Sequence, residues 1–486
     1  MPRSFVFYLA VLLLFGTGIF FILDYGSELP GTASAPAHAI QTHPGVGPEP
    51  AKAHPGGMAE DFLENVKAPL SILLLQVIVI VVAARALGAL FLKIGQPSVI
   101  GEMVAGILLG PSLLGLAAPG VQELLFPASS MGALRLLSQI GVILFMFVVG
   151  IELDVHHLRQ KAQAAVVVSH ASIVVPFFLG SASALLLYRS LAPAGVPFTA
   201  FAMFIGVAMS ITAFPVLARI LEERRLSGTQ LGATAIACAA VGDVTAWCLL
   251  AVVVAIARAN GLAGSLMTIA LTLLFIAVML FAVKPLAARL ASRRAEFGNG
   301  GSSVLLAGIF SFIFVSALFT EMIGIHALFG AFLAGVCMPP DSRLRQFLRE
   351  RLETFSSVFL LPLFFAFAGL RTQIGLLSDW RSWLTCAGII AVAIAGKLGA
   401  SMIAARFTGM SWGDSFALGS LMNTRGLIEL IALNLGYDLG VLSPRIFAML
   451  VLMALVTTLM TGPLLHLRAV LSREDPLMAT PARSGS

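Results

Sequence analysis

Long apolar runs separated by short polar loops follow one another along most of the chain. A helix that crosses a bilayer needs about 20 predominantly apolar residues, and many of these runs reach that length. From residue 68 onward the pattern predicts thirteen such segments, which begin near Ala68, Val99, Leu134, Ala164, Phe198, Leu231, Leu266, Val304, His326, Phe355, Trp383, Trp412 and Ile446. The predicted fold class is therefore an all-α polytopic membrane protein.

A further apolar run, from Ser4 to Leu23, precedes these segments and is followed by a Gly/Pro/Ala/His-rich stretch to about Gly57. The basic start and apolar middle fit a secretory signal peptide, and the length of the run also fits an uncleaved membrane anchor. We therefore divide the chain into an N-terminal signal or anchor segment with an external linker (1–67), a transmembrane domain (68–465) and a short cytoplasmic tail (466–486).

Composition agrees with a membrane protein, because 58% of the residues are hydrophobic and only 11% are charged. A globular chain has roughly 45–50% apolar and 25% charged residues. The net charge of +6 comes from basic residues spread through the loops, so we expect a lipid membrane and no nucleic acid as partner. The four cysteines lie inside apolar runs without metal-ligand spacing, and we predict no resident metal and no cofactor.

The basic residues also predict an orientation, because cytoplasmic loops of membrane proteins are enriched in Lys and Arg. With thirteen crossings and the linker outside, the predicted external loops hold only Arg189, Arg258, Arg371, Arg381 and Arg445. The predicted cytoplasmic loops hold many more: Lys93, Arg159, Lys161, Arg219, Arg224, Arg225, Lys284, Arg289, Arg293, Arg294, Arg343, Arg345, Arg349, Arg351 and Arg406. We predict a multi-pass protein of the cell (inner) membrane with a cytoplasmic C-terminus.

Two pairs of segments repeat each other. Residues 101–111 and 330–340 share the pattern G-x-x-x-A-G-x-x-x-x-P, and residues 144–151 and 363–370 share L-F-x-x-x-x-G followed by Ile or Leu. The members of each pair are seven crossings apart, so they traverse the bilayer in opposite directions. The pattern predicts an inverted repeat, with segments one to six related to segments eight to thirteen, which is typical of transporters with a midplane site.

Both the fifth and the twelfth segments contain helix-breaking or polar residues in the middle of an apolar run. In the fifth, Pro215 removes a backbone donor, and Ser210 and Thr212 place oxygens beside the predicted break. A simple proline kink would also explain this pattern.

In the twelfth segment, the sequence Met422–Glu429 brings an amide (Asn423), a guanidinium (Arg425), a glycine (Gly426) and a carboxylate (Glu429) into the apolar run. Arg425 and Glu429 are four residues apart, so they share a helix face, and a self-neutralising pair is the alternative interpretation. Lys397 lies equally deep in the eleventh segment and requires a partner or a cavity. It could neutralise the negative end of a broken helix.

Asp243 is the acidic residue of the sixth segment, with no basic residue within a dozen positions on either side. A charge at the centre of a membrane helix costs about 2.5–3.5 kcal/mol on insertion scales and marks a functional site. When ionised, Asp243 could bind a monovalent cation together with oxygens of the fifth segment, and when protonated it could not. The chemistry that fits is exchange of a cation, Na⁺ or K⁺, for protons.

These motifs resemble the second cation:proton antiporter family, which includes bacterial sodium/proton antiporters, Kef-type proteins and plant cation/proton exchangers. The resemblance rests on residues 95–102 and 109–111, residues 210–217, Asp243, Lys397 and residues 422–429. It implies a thirteen-helix sodium/proton antiporter-like fold with two crossed broken helices, a dimerisation domain and hence a homodimer, and elevator-like alternation. It also implies cation and proton binding at Asp243 with Ser210, Thr212 and Asn423 nearby, and charge compensation by Lys397, Arg425 and Glu429, with Pro215 and Gly426 at the breaks.

Gly242 departs from the pattern of electrogenic members, which have a second aspartate at this place that pairs with the lysine. With one carboxylate, exchange of one cation for one proton is the simpler expectation, and Glu429 becomes a potential partner of Lys397. The roughly twenty residues after Leu465 are too few for the nucleotide-binding domain of Kef-type proteins.

Other functions remain open at this point. The first alternative is a cation channel or a non-transporting sensor that uses the same fold. An intramembrane aspartyl protease is a remote third, because Gly242-Asp243 and Tyr437-Asp438 approximate its motifs in reversed order. We expect a transporter and not an enzyme.

Overall fold

The computed structural model describes residues 3–29, 65, 68–152, 162–226, 229–258, 262–294, 302–339 and 342–472. Every regular element within these ranges is a helix, which confirms the predicted all-α class. Most of the predicted external linker and the end of the predicted tail, at residues 30–64, 66–67 and 473–486, lie outside the described residues.

The first half of the chain runs from the N-terminal helix to the helix that contains Asp243. Its helices are α1 (Arg3–Ser27), α2 (Pro69–Lys93), α3 (Ser98–Leu109), α4 (Leu114–Ala117), α5 (Pro119–Leu125), α6 (Ala128–Glu152), α7 (Ala162–Leu191), α8 (Phe198–Ser210), α9 (Phe214–Glu223) and α10 (Gln230–Arg258).

The second half contains α11 (Leu262–Val278), α12 (Lys284–Arg294), α13 (Ser302–Ile323), α14 (Ala327–Val336), α15 (Ser342–Phe355), α16 (Leu361–Leu370), α17 (Trp380–Ile394), α18 (Ala400–Phe407), α19 (Trp412–Met422), α20 (Leu427–Asp438) and α21 (Pro444–Ser472). Three π-helical turns, Met279–Val283, Ser356–Leu360 and Ala395–Gly399, join α11 to α12, α15 to α16 and α17 to α18. A short 3₁₀ turn, Ile374–Leu376, precedes α17.

Eleven helices in the described residues are long and apolar enough to cross a membrane, and one of them is the N-terminal run Val6–Ser27. The other ten correspond to ten of the thirteen segments predicted after residue 67. The remaining three are the interrupted fifth and twelfth segments and the short ninth, Ala327–Val336. The count of thirteen crossings stays a prediction.

The repeated motifs contact one another as two equivalent pairs. Gly106 of α3 packs against Gly369 of α16, and Gly150 of α6 packs against Gly335 of α14. At each of the four glycines an added Cβ would lie only 2.2–2.6 Å from a backbone atom of the facing helix. Gly106 aligns with Gly335 in the repeat and Gly150 aligns with Gly369, so the two pairs are the same contact made once in each half. The structure therefore confirms the repeat that the sequence predicts.

The same relation extends to the neighbouring helices. An added Cβ at Gly101 would lie 2.5 Å from the Leu87 carbonyl oxygen of α2, and one at the equivalent Gly330 would lie 2.2 Å from the Ser316 carbonyl oxygen of α13. Small residues thus let the backbones approach closely in both halves, as is common where membrane helices associate by van der Waals packing.

The two interruptions meet. Helix α8 ends at Ser210 and α9 begins at Phe214, while α19 ends at Met422 and α20 begins at Leu427. Between them, the Ala213 backbone N–H donates to the Thr424 carbonyl oxygen at 3.1 Å. The Thr212 hydroxyl donates to the Met422 carbonyl oxygen at 3.0 Å. The predicted crossing of two broken helices is therefore present, and the first break donates both of these hydrogen bonds to carbonyls of the second.

Pro215 and Gly426 lie at the breaks but act differently. Pro215 is the second residue of α9, where the missing N–H has no intrahelical partner to lose. An added Cβ at Gly426 would lie 2.7 Å from Val216 Cγ2 and 3.2 Å from Ala213 Cβ. Gly426 therefore permits the close approach of the two crossing segments.

Replacing Gly150 by alanine is expected to destabilise the protein, because the new methyl group would overlap the backbone of α14. Overpacking of this kind costs about 1–3 kcal/mol. The matched control is Gly308→Ala in α13, where nothing lies within 4 Å of the added Cβ and a glycine-to-alanine change in a helix is neutral or favourable. Thermal unfolding in detergent should show a lower midpoint for Gly150→Ala only. Equal midpoints for both variants would contradict the proposed packing.

Candidate functional site

Asp243 lies in the middle of α10 and is only 2% exposed. Its carboxylate lies close to the backbone of Phe214, the first residue of α9, and interacts electrostatically with Lys397. Neither carboxylate oxygen has a hydrogen-bond partner among the described residues. A buried carboxylate that interacts with one backbone N–H but forms no full hydrogen bond is a costly arrangement unless another species binds there.

Lys397 occupies the centre of the π-helical turn Ala395–Gly399 and is fully buried. Such turns occur frequently at functional sites, since they redirect one side chain without ending the helix. The Lys397 ammonium donates hydrogen bonds to the carbonyl oxygens of Ser172, at 2.8 Å, and of Ser210. Ser210 is the last residue of α8, so the ammonium lies at the C-terminal end of the first broken helix.

Arg425 binds the same helix end from the opposite repeat. Its Nη1 donates to the Ala208 carbonyl oxygen at 2.5 Å and its Nη2 donates to the Met209 carbonyl oxygen at 2.8 Å. Together with Lys397 it supplies cationic donors to three successive carbonyls, those of Ala208, Met209 and Ser210. A helix end leaves such carbonyls without intrahelical partners and carries a partial negative charge of about half an electron.

Glu429 faces Arg425 one helical turn away, with Arg425 Nη1 and Glu429 Oε2 3.5 Å apart and both side chains fully buried. The Lys397 ammonium interacts electrostatically with Arg425, Glu429 and Asp243, but its hydrogen bonds go to backbone carbonyls. Among the described residues no carboxylate lies within salt-bridge distance of Lys397. Glu429 is therefore the direct partner of Arg425.

The three residues predicted to supply oxygen ligands for the cation, Ser210, Thr212 and Asn423, are buried at the crossing. Their side chains differ in the hydrogen bonds that they form. The Ser210 hydroxyl donates to the Gly206 carbonyl oxygen at 2.6 Å, and the Thr212 hydroxyl donates across the crossing to Met422. The Asn423 amide nitrogen lies 3.5 Å from the Thr457 carbonyl oxygen, while its Oδ1 has no partner among the described residues. Asn423 thus offers an unoccupied oxygen, and the two hydroxyls offer lone pairs only.

Sequence analysis missed three polar residues in this region. The Thr458 hydroxyl of α21 accepts the Arg425 backbone N–H at 2.8 Å and donates to the Arg425 carbonyl oxygen at 3.0 Å. Ser169 and Ser172 of α7 are fully buried with unpartnered hydroxyls. In the sequence, the only indication of such a pair is that two serines stand one helical turn apart in an apolar run.

Asp438, the second aspartate of the protease alternative, is paired elsewhere. It forms a hydrogen-bonded ion pair with Arg371, and Arg135 Nη1 lies 3.8 Å from the same carboxylate oxygen. Arg371 Nη1 also donates to Asn434 Oδ1 at 3.0 Å. An aspartyl protease needs two carboxylates that share a proton, and here the second carboxylate is neutralised by arginines.

Comparison with known proteins identifies the family to which the chain belongs. The family model for the transmembrane sodium/hydrogen exchanger matches residues 75–468. The chain belongs to the sodium/hydrogen exchanger family. It is a multi-pass membrane cation/proton antiporter and not an enzyme, which confirms the resemblance drawn from the motifs.

Named relatives of this exchanger extend from bacteria to plants and fungi. It is 45% identical over 396 residues to the Na⁺/H⁺ antiporter NhaS4 of Synechocystis, covering 81% of this chain and 96% of the relative. It is 39% identical over 423 residues to cation/H⁺ antiporter 17 of Arabidopsis thaliana, covering 86% and 50%, respectively. It is 34% identical over 413 residues to K⁺/H⁺ antiporter 1 of Saccharomyces cerevisiae, covering 84% and 47%. The exchanger spans about half the length of these plant and yeast relatives.

Among solved structures, the exchanger is similar to the sodium proton antiporter MjNhaP1 of Methanocaldococcus jannaschii at pH 8. The TM-score is 0.60 with 14% sequence identity, and the match covers 84% of this chain and 99% of that chain. This likeness shows the fold and supports the predicted antiporter-like class.

Removing the Lys397 ammonium should destabilise the exchanger, since the carbonyls of Ser172 and Ser210 would lose a buried hydrogen-bond donor. Two hydrogen bonds from a charged group contribute about 1.5–3 kcal/mol each. Lys397→Ala should therefore lower the thermal midpoint by several degrees. Arg406→Ala is the matched control, because Arg406 lies at the exposed end of the adjoining α18, where it donates to the Met410 carbonyl oxygen and lies over the Trp412 ring. Similar midpoints for the two variants would argue against the capping role.

Proposed function

We propose that this exchanger moves a monovalent cation, Na⁺ or K⁺, against protons by alternating access at Asp243. The observation that supports this most directly is the Asp243 carboxylate, which is buried at the crossing and has two unpartnered oxygens. The oxygens of the other buried carboxylate of the site, Glu429, also lack hydrogen-bond partners among the described residues, but Glu429 lies within ion-pair distance of Arg425. Asp243 is thus the group whose charge is available to a transported ion.

One carboxylate makes binding of the two ions mutually exclusive. Ionised Asp243 provides a charged oxygen ligand for a monovalent cation, and Asn423 Oδ1 and the lone pairs of Ser210 and Thr212 replace part of the hydration shell. Protonation removes the negative charge and occupies one oxygen. If the site changes sides only when it holds a cation or a proton, transport of one ion is coupled to transport of the other.

The charge balance of the site favours exchange of one cation for one proton. When all four groups are ionised, the two carboxylates, Asp243 and Glu429, balance the two cationic side chains, Lys397 and Arg425, and the empty site is neutral. A proton and a monovalent cation each add one positive charge to it. Both loaded forms then cross the membrane with the same charge, and the exchange moves no net charge.

The remaining components follow from the sequence and the family. We propose a homodimer in the cell (inner) membrane with the N-terminal linker outside and the C-terminus in the cytoplasm. The distribution of Lys and Arg supports this orientation. Relatives named for Na⁺ and for K⁺ support a monovalent cation as substrate, and transport assays with both ions decide between them.

Asp243→Asn should abolish cation-driven proton flux while leaving the exchanger folded, because asparagine keeps the size of the side chain and removes its charge. The measurement is the fluorescence of a pH-sensitive dye in proteoliposomes after addition of Na⁺ or K⁺. Asp414→Asn is the control, since Asp414 lies at the start of α19 and pairs with Arg468. Retained flux in Asp243→Asn would overturn the site. Cation conductance without proton flux in the wild type would indicate a channel. The absence of both conductance and proton flux would indicate a sensor.

Competition at one carboxylate also predicts a pH dependence. Under conditions where the proton occupies most sites, the apparent KM for the cation should rise about tenfold for each unit by which the pH falls, because one proton must leave for each cation that binds. The maximal rate at saturating cation should change less. Initial rates over a matrix of pH and cation concentration test this. An apparent KM that is independent of pH would show that the two ions use different groups.

A further inference from the structure

The hydroxyls of Ser169 and Ser172 are the polar groups next to the site that the antiport mechanism has not yet used. Both residues are fully buried on α7, and neither hydroxyl has a partner among the described residues. A serine in a membrane helix ordinarily bonds to the carbonyl four residues earlier. Ser183 of the same helix does so, donating to the Leu179 carbonyl oxygen at 2.7 Å. Ser169 and Ser172 therefore have hydroxyls that are available to something outside their own helix.

Both serines adjoin the groups that surround Asp243. The Ser172 carbonyl oxygen accepts a hydrogen bond from Lys397 at 2.8 Å, and Lys397 interacts with Asp243. A Cβ added at Gly242 would lie 3.2 Å from the Ser169 hydroxyl oxygen, and apart from the chain neighbours of Gly242 and its own helix backbone no other atom lies within 4 Å of it. The Ser169 hydroxyl therefore lies close to the backbone beside Asp243, where a methyl group would crowd it.

We propose that the Ser169 hydroxyl, with that of Ser172 one turn away, is an oxygen ligand of the transported cation, and that Gly242 keeps the space beside Asp243 open for it. This inference rests on the proposed function, because it adds ligands to the same cation. Monovalent cations exchange hydration waters for neutral oxygens, and the number and spacing of those oxygens determine which ion is preferred. The helix α7 would then contribute to selectivity along with the broken helices.

The arrangement explains two otherwise unfavourable features together. Buried hydroxyls without partners are unfavourable, and the two oxygens of the buried Asp243 carboxylate form no full hydrogen bond within the described residues. A cation between them satisfies all three groups at once. It also gives Gly242 a role in the size of the ion, since even one methyl group would reach into the space next to Ser169.

The test compares Ser169→Ala, Gly242→Ala and the control Ser183→Ala in proteoliposomes with Li⁺, Na⁺, K⁺ and Rb⁺. Loss of one neutral oxygen ligand should raise the cation KM by about tenfold, equivalent to about 1.4 kcal/mol, with a smaller change in kcat. Gly242→Ala should raise the KM for K⁺ and Rb⁺ by about threefold or more relative to Li⁺ and Na⁺, because the larger ions need more room. Ser183→Ala should leave every KM unchanged. Unchanged KM values in both site variants would overturn the proposal.

A second measurement distinguishes this proposal from the proposed function. Cations that bind the folded protein raise its thermal midpoint, so unfolding of the detergent-solubilised exchanger is followed with increasing concentrations of each ion. The shift should be present in the wild type and in Ser183→Ala, and strongly reduced in Ser169→Ala. If the wild type lacks coupled flux but shows this pattern, the antiport proposal fails and the ligand assignment stands. If flux depends on Asp243 but the shift is the same in Ser169→Ala, the ligand assignment fails alone.

Discussion

The end of a helix in the middle of the membrane is the constraint on which the rest of this structure depends. Helix α8 stops at Ser210, and its last carbonyls have no partners within the helix. Lys397 and Arg425, both from the second half of the chain, donate to these carbonyls. The two repeats are thereby joined through charge-assisted hydrogen bonds at the crossing. A substitution that removes the positive charge of Lys397 or Arg425 therefore leaves carbonyls of the helix end without a donor. It also changes the net charge of the buried site.

The same constraint determines which acidic group can bind a transported ion. The two cations are committed to the α8 carbonyls, and Arg425 also faces Glu429. Asp243 lies close enough to Lys397 to interact with it electrostatically, but the two side chains do not form an ion pair. The helix end therefore holds positive charge near Asp243 without neutralising it by contact. This separation is what leaves both carboxylate oxygens open to a cation or a proton.

Much of this architecture could be predicted from sequence, because the physical requirements of the membrane are strict. Charged residues in apolar runs identified Asp243, Lys397 and Arg425, and the spaced glycines identified the repeat, whose members the structure places in equivalent contacts. The meeting of the two breaks also followed from their corresponding positions in the two halves.

The finer arrangement could not be predicted, because it depends on which side chains face each other across helices. Glu429 looked like a potential partner for Lys397, yet Arg425 is nearer and Lys397 binds carbonyls. Ser210 and Thr212 stand beside the break as expected, but their hydroxyls already donate to backbone carbonyls. Ser169 was missed because a serine in an apolar helix usually satisfies itself on its own backbone, and only packing shows that it does not.

If one cation and one proton compete for the Asp243 carboxylate, binding of the cation must release the proton into solution, and this release can be measured. Saturating Na⁺ or K⁺ is added to detergent-solubilised protein in a weakly buffered solution, and a pH indicator counts the protons released for each bound cation. We predict release of up to one proton per protomer, rising as the starting pH falls, and no release from Asp243→Asn. Equal proton release from Asp243→Asn, or cation binding to the wild type with no release at any pH, would contradict it.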